Sequence, residues 1–186
     1  MKGRMTMTTY TVVPGDSLWK IAVKFEIGLS EIIAANPQIR DPALIFPGQM
    51  INIPTIDENK ALETEVVRLV NVERAKAGLP ALIQNWEVSR VARYKSQDFI
   101  NRNYFAHDSP TYGSPFDMLK AFGILFSAAA ENIARGQNSP AIVMNSWMGS
   151  AGHRANILST LYNQIGVGVA RDNRGTLFWT QMFIRG

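Results

Sequence analysis

Two spacings of apolar residues run along the chain, one helical and one alternating, and their order predicts its elements. Near the N-terminus Tyr10, Val12 and Val13 predict a short strand ended by Pro14-Gly15. Asp16 or Ser17 can cap a following helix, whose Leu18, Ile21, Ala22 and Phe25 recur at helical spacing until Gly28 breaks it. Ser30 is the expected N-cap of a second helix through Ile32, Ile33 and Ala35, closed by Asn36-Pro37, because the residue before proline is steered away from α geometry. A turn at Phe46-Pro47-Gly48-Gln49 then leads into Met50, Ile51 and Ile53, a strand ended by Pro54.

The polar PTIDENK run that follows reads as a linker, assigned to 56–62, with residues 1–9 as an N-terminal tail. Beyond it, Val66, Val67, Leu69, Val70 and Val72 alternate with charges in an amphipathic helix over 63–76, closed by Gly78 and Pro80. A second helix is predicted over 86–101, with Val88, Val91, Ala92, Phe99 and Ile100 as its buried stripe. Ser114-Pro115 starts another, Asn138 or Ser139 caps one over 140–147, and a short one covers 153–158. QIGVGVAR and TLFWTQMFI alternate as strands joined at Asp172-Asn173-Arg174-Gly175. Helices first and a terminal hairpin later predict an α+β layered domain, 63–186, after a small one, 10–55.

Composition narrows the function classes. The 46% hydrophobic and 18% charged residues are those of a globular chain. No stretch reaches the roughly 18 apolar residues of a transmembrane helix, and the opening MKGRMTMTTY has no hydrophobic segment of a signal peptide. The absence of cysteine excludes disulfides, thiol catalysis and thiolate metal sites. The net charge of +4 lies beyond Asp57, since the first 57 residues carry five basic and five acidic side chains and the remainder fourteen and ten. Such an excess suits an anionic surface such as wall polymer, but an ordinary solvated surface with more Arg than Asp accounts for it more readily. No basic cluster interleaved with aromatics points to nucleic acid.

The stretch YTVVPGDSLWKIAVKF, with the central IIAANP and IFPGQMINIP, resembles a LysM domain from Tyr10 to Pro54 in one βααβ unit. The resemblance implies binding of peptidoglycan or chitin-like glycans through N-acetylglucosamine. It also implies a shallow groove with Gly15, Asp16, Ser17 and Leu18 on one side and Asn36, Pro37, Gln38, Ile39, Leu44 and Ile45 on the other. Gly15 and Pro37 also serve turns, and Leu18 and Trp19 are candidates for the core. A single module binds weakly, so retention on a wall gains from further contacts.

The second half carries the chemistry-bearing residues. The chain has two histidines, His107 in YFAHDSP and His153 in WMGSAGHRANIL, and both stand among small and polar residues, as does Glu131 in AENIARG. These motifs, with LVNVERAKAGLPAL, GSPFDMLKAFG, IGVGVA and FWTQMF, resemble a bacterial, cysteine-free CAP domain of the cysteine-rich secretory, antigen 5 and pathogenesis-related superfamily, over 63–183. The resemblance implies an α-β-α sandwich with a cleft where His107, Glu131 and His153 meet. Ser150 stands where the superfamily has a second acidic residue.

Two imidazoles and a carboxylate are a donor set for zinc, a His₂Glu site with an open position at ligand distances of about 2 Å. Such a site would support a metal-assisted peptidoglycan hydrolase or protease, with His107, Glu131, His153 and Ser150 as candidate catalytic residues. GSAG is not a nucleophile elbow, however, and no Asp is placed to orient a histidine. The other reading is a buried polar network that holds a binding cleft together. The resemblances as a whole imply a protein of the cell wall or spore surface that binds glycan and meets other wall or coat proteins, as LysM coat-assembly proteins do. Trp147, Trp179 and Phe183 are expected in the core, Arg154 on helix-end carbonyls, and Asn132 and Asn156 on loops.

Overall fold

The computed structural model describes residues 6–55 and 57–186. The chain divides into two compact units, Met1–Asp57 and Glu58–Gly186.

In the first unit, strand β1 (Thr6–Thr11) pairs antiparallel with β2 (Met50–Thr55), and between them lie helices α1 (Leu18–Phe25) and α2 (Leu29–Ala35). β1 starts inside the stretch expected to be a tail, because its threonine-rich run pairs residue for residue with β2; residues 1–5 lie outside the described residues. Ser17 caps α1, its hydroxyl accepting from Lys20 N at 3.2 Å. Asp16, the other candidate cap, accepts instead from Tyr10 Oη and Val13 N, both at 2.9 Å. The helix stops earlier than expected, at Glu26 in the left-handed region (φ 53°), and Gly28 rather than Ser30 caps α2. Leu18, Ile21, Ile32, Ile51 and Ile53 form the core.

The second unit begins with α3 (Asp57–Lys76), so the residues read as a linker are helix from 57 onward. DENK looks like a connector, but Asn59 Nδ2 donates to Val169 O at 3.0 Å and Leu62 packs on the core. Then follow β3 (Ile83–Gln84), α4 (Trp86–Arg102), α5 (Pro115–Ala121), β4 (Ala128–Arg135), α6 (Pro140–Gly149), α7 (Ala151–Ile157), β5 (Gln164–Arg171) and β6 (Leu177–Arg185). The sheet order is β3-β5-β6-β4, with β3 parallel to β5 and the other pairs antiparallel. Alternate residues of β5 and β6 feed two cores: α3, α6 and α7 cover one face, where Trp147, Trp179 and Phe183 are fully buried, and α4 and α5 cover the other. This is the α-β-α sandwich. β3 and β4 are the strands that apolar periodicity does not reveal: β3 is two residues long, and AAAENIAR carries mostly helix-forming residues whose pairing with β6 overrides propensity.

The layers are held apart by very little at one place. A Cβ on Gly166 would lie 2.3 Å from Ser89 N, and one on Gly168 would lie 2.1 Å from Ala92 C and Arg93 N. The backbone of α4 therefore rests directly on β5. The approach is close enough for Ser96 Oγ to donate to Gly168 O at 3.0 Å and for Ser89 Oγ to accept from Val167 N at 3.3 Å. Gly168→Ala is expected to destabilise the protein by about 3 kcal/mol or more, since a methyl group there must displace backbone rather than a side chain. A urea denaturation midpoint unchanged from that of the unaltered protein would contradict this.

Candidate functional site

β4, on the outside of the sheet, presents Glu131, Ile133 and Arg135 on one face and Asn132 and Ala134 on the other. Its Glu131 and Ile133 carbonyls accept from Asn156 Nδ2 (3.4 Å) and Trp147 Nε1 (3.2 Å), so α6 and α7 close the strand's edge. Asn132 Nδ2 donates to Gln181 Oε1 (3.1 Å) and His153 O (3.2 Å), and Asn156 Nδ2 donates to Asn132 Oδ1 (2.9 Å). Both asparagines thus hold the segment carrying His153, and Arg154 donates to Met148 O at 3.0 Å, at the end of α6.

His107 reaches Glu131 from the loop between α4 and α5. Its Nδ1–H donates to Glu131 Oε1 at 2.8 Å, with the imidazole half-exposed and the carboxylate almost wholly buried. The hydrogen bond to Glu131 pushes the His107 imidazole above its ordinary pKa. Burial pushes the Glu131 carboxyl up, against the opposing influence of His107 and Lys95, and its Oε2 is buried with no hydrogen-bond partner. His153, a half-buried side chain, is pushed below its ordinary value by burial and by the charge on His107.

Behind this pair lies a group that the motifs do not include. Lys95, fully buried, donates to the backbone carbonyl of His107 and lies 5.2 and 5.3 Å from the ring centroids of Phe99 and Tyr104. Burial lowers its pKa, and the nearby charges of Glu131, Asp98 and Asp108 act in the opposite sense. Its signal in the sequence is a lysine on the buried stripe Val88, Val91, Ala92, Phe99. One turn on, Asp98 accepts from Tyr104 Oη (2.8 Å), Ser109 Oγ (2.6 Å) and Thr111 Oγ1 (2.8 Å), which pins the His107 loop to α4. Asp98→Ala is expected to cost about 2–3 kcal/mol, because three hydroxyls lose a charged acceptor. Thermal unfolding at an unchanged temperature would contradict that.

Ser150 does not join the cluster. It is the joint between α6 and α7, its carbonyl accepting from Arg154 N at 2.9 Å, and its hydroxyl bonds neither histidine. Among the described residues no group of three or more His, Asp or Glu side chains is arranged to hold a metal ion. In this geometry Glu131 is committed to His107, so the expected His₂Glu zinc set does not fit as a preformed three-ligand site.

The two histidines differ in a measurable way. NMR titration is expected to place the His107 midpoint above 6.5 and the His153 midpoint below it. Because His107 is raised, its contribution to stability is complete below pH 6.5 and is lost as pH rises through its folded value. Glu131→Gln should lower the His107 midpoint and flatten that loss, whereas coincident midpoints for the two histidines would refute the assignment.

In the first unit a cavity of about 440 Å³ is lined by Ser17, Leu18, Trp19, Leu29, Pro42 and Ala43. Two of these, Ser17 and Leu18, belong to the groove expected from the sequence. Leu18 is buried, but Trp19 is 61% exposed and so is not core. Asn36 is turned inward at 1% exposure: its amide donates to Ile32 O and Asn52 O and accepts from Asn52 N and Gln38 Nε2 at 2.7–2.9 Å, which fills its hydrogen-bonding capacity and makes it a brace rather than a sugar ligand. Gln38 is its partner, and Asp16 serves the β1–α1 turn. Gly15 O accepts from Lys20 Nζ, and Ile39 and Ile45 pack on the core. Pro37 and Leu44 remain exposed.

The model of the cysteine-rich secretory protein (CAP) family matches residues 67–183, and the LysM domain model matches residues 10–54. The chain belongs to the CAP family and carries a LysM domain ahead of the CAP domain. It is 52% identical over 124 residues to the uncharacterized protein YkwD of Bacillus subtilis, covering 67% of this chain and 47% of YkwD. It is 43% identical over 61 residues to the probable autolysin LDP of Staphylococcus aureus, covering 33% of this chain and 20% of LDP. An extracellular protein of Bacillus anthracis containing an SCP domain, solved by crystallography, superposes with a TM-score of 0.65 at 33% identity, over 75% of this chain and 47% of that one. The chain therefore spans about half the length of YkwD and of the B. anthracis protein. No helix among the described residues is long and apolar enough to cross a membrane.

Proposed function

We propose that this is a wall-associated binding protein whose LysM domain holds N-acetylglucosamine-containing peptidoglycan or chitin-like glycan, and whose CAP cleft binds a ligand without cleaving it. The observation that carries the glycan reading is the exposed Trp19 indole at a cavity otherwise lined by small and apolar groups. An aromatic ring held at the surface beside such a hollow offers a flat apolar face to a pyranose, and the small polar groups beside it fix orientation. For the cleft, Glu131, His107, Asn132 and Asn156 bond each other and the backbone, as a structural polar network does. Among the described residues the Ser150 hydroxyl makes no capping hydrogen bond and bonds neither histidine.

The protein mixed with insoluble peptidoglycan is expected to sediment with it and to release no soluble fragments, with or without added zinc. Trp19→Ala should weaken retention about tenfold, the consequence of losing roughly 1.4 kcal/mol of stacking contact. Fragment release would favour the metal-assisted hydrolase instead, and undiminished retention of the Trp19 variant would remove the groove assignment. Deposition on a spore surface is the narrower form of this reading; recovery of the protein wholly from vegetative medium, and not from purified spores, would exclude it.

A further inference from the structure

The CAP domain has a second hollow, of about 400 Å³, whose lining includes none of His107, Glu131, His153 or Ser150. Four aromatic rings surround it: Phe99, Tyr104, Phe105 and Phe178. Phe99 is central, with ring centroids 5.0 Å from Tyr104, 5.1 Å from Phe105 and 6.1 Å from Phe178. Phe99 and Phe178 are buried, whereas Phe105 is 41% exposed, a large apolar ring left in solvent at the rim. Arg135, from the end of β4, lies with its guanidinium 5.1 Å from the Phe178 centroid, and Arg174 stands on the β5–β6 turn. Arg135 has no carboxylate partner among the described residues. The carboxylate at the rim, Asp172, is engaged by the turn itself, its Oδ1 accepting from Arg174 N (2.9 Å) and Thr176 N (2.8 Å). Asn103 and Asn173 complete the polar rim with exposed amides.

The chemistry of the lining defines the ligand. Aromatic faces cover apolar C–H surface, guanidinium groups take a carboxylate in a forked pair, and amides bond hydroxyl and acetamido groups. The volume lies within the range of small-molecule sites and accommodates one or two sugar rings. We propose that this hollow binds a carboxylate-bearing N-acetylated pyranose, with Arg135 and Arg174 on the carboxylate and Phe105 against the ring. The proposal rests on the wall-glycan reading above: the polymer alternates a neutral amino sugar with a sugar acid whose carboxyl is amide-linked to a peptide and becomes a free carboxylate where that peptide has been removed, so the hollow is assigned to glycan stripped of its peptides. The LysM groove then takes the neutral sugar, and this hollow gives the CAP domain its own hold on the acidic one.

The test is titration of the full chain with N-acetylmuramic acid, followed by heteronuclear NMR. Backbone amides of Asn103, Phe105, Arg135 and Asn173 are expected to shift, and N-acetylglucosamine, which lacks the carboxylate, should act on them about tenfold more weakly or less. The Arg135→Gln, Arg174→Gln double variant is expected to lose about tenfold or more in affinity for the acid while binding a chitin oligosaccharide as the unaltered protein does. Equal affinity of these amides for the two sugars, or no loss in the double variant, would overturn the proposal. If the unaltered protein failed to bind chitin oligosaccharide and peptidoglycan yet kept the arginine-dependent shifts, the LysM reading would fall and this site would stand.

Discussion

The contact on which the CAP domain depends is the one between the backbone of α4 and the glycines of β5. Gly166 and Gly168 leave no room for a side chain, so α4 sits at a fixed height above the sheet and in a fixed rotation. Everything that α4 carries inherits that placement. Lys95 meets the His107 carbonyl, Asp98 collects three hydroxyls from the loop beyond, and Phe99 stands at the centre of the aromatic cluster. A shift of α4 outward by the width of a methyl group would move the support of both hollows together. Packed interiors transmit such a displacement rather than absorb it.

A four-stranded sheet in so small a domain also has two edges to close, and it closes both with side chains. On the β5 side β3 covers only two residues, and the groups beyond it are met by Ser89 at Val167 N, by Glu63 at Val169 N and by Asn59 at Val169 O. Glu63 does this while forming a buried, forked pair with Arg93, at 2.6–2.9 Å, which joins α3, α4 and β5. On the β4 side Trp147 and Asn156 serve the same purpose. The cleft is thus a by-product of edge closure: the residues that hold His153 in place, Asn132 and Asn156, are those that finish the sheet. Among the described residues one wholly buried side-chain atom of this cleft, Glu131 Oε2, has no hydrogen-bond partner.

How much of this was legible in the sequence follows from the kind of signal each residue carries. His107, Glu131 and His153 could be singled out because titratable residues stand there among small ones, and motif order placed them in one cleft. Helices with clean apolar stripes, such as α4, and the β5–β6 hairpin with its Asp-Asn-Arg-Gly turn were visible for the same local reasons. β4 was not, because an alanine-rich strand is made a strand by its partner, and partnership between 128–135 and 178–185 is not a local property. Nor was the start of α3, where polar residues on the outer face hid a helix whose inner face is buried. Asn36 shows the converse: the LysM resemblance implied a sugar ligand, and only the fold reveals that its amide ties α2 to β2.

Lys95 is the most instructive of the missed residues, since its clue was in plain view as a cation at an apolar position of a helix. A buried ammonium is costly unless its hydrogen bonds and counter-charges are supplied. Here the His107 carbonyl takes a hydrogen bond while the charges of Glu131, Asp98 and Asp108 surround it. Lys95 therefore ties the position of His107 to the ionisation of Glu131: if the carboxyl is protonated, the buried cation loses a counter-charge and the imidazole its strongest partner at once. The face of β4 carries this coupling outward, because Glu131, Ile133 and Arg135 lie in one row. By strand geometry the row spans roughly 13 Å from the first to the last. The cleft and the aromatic hollow are thus read from one strand, with Ile133 and Phe99 packed between them. A ligand lying along that row would meet an imidazole at one end and a guanidinium at the other.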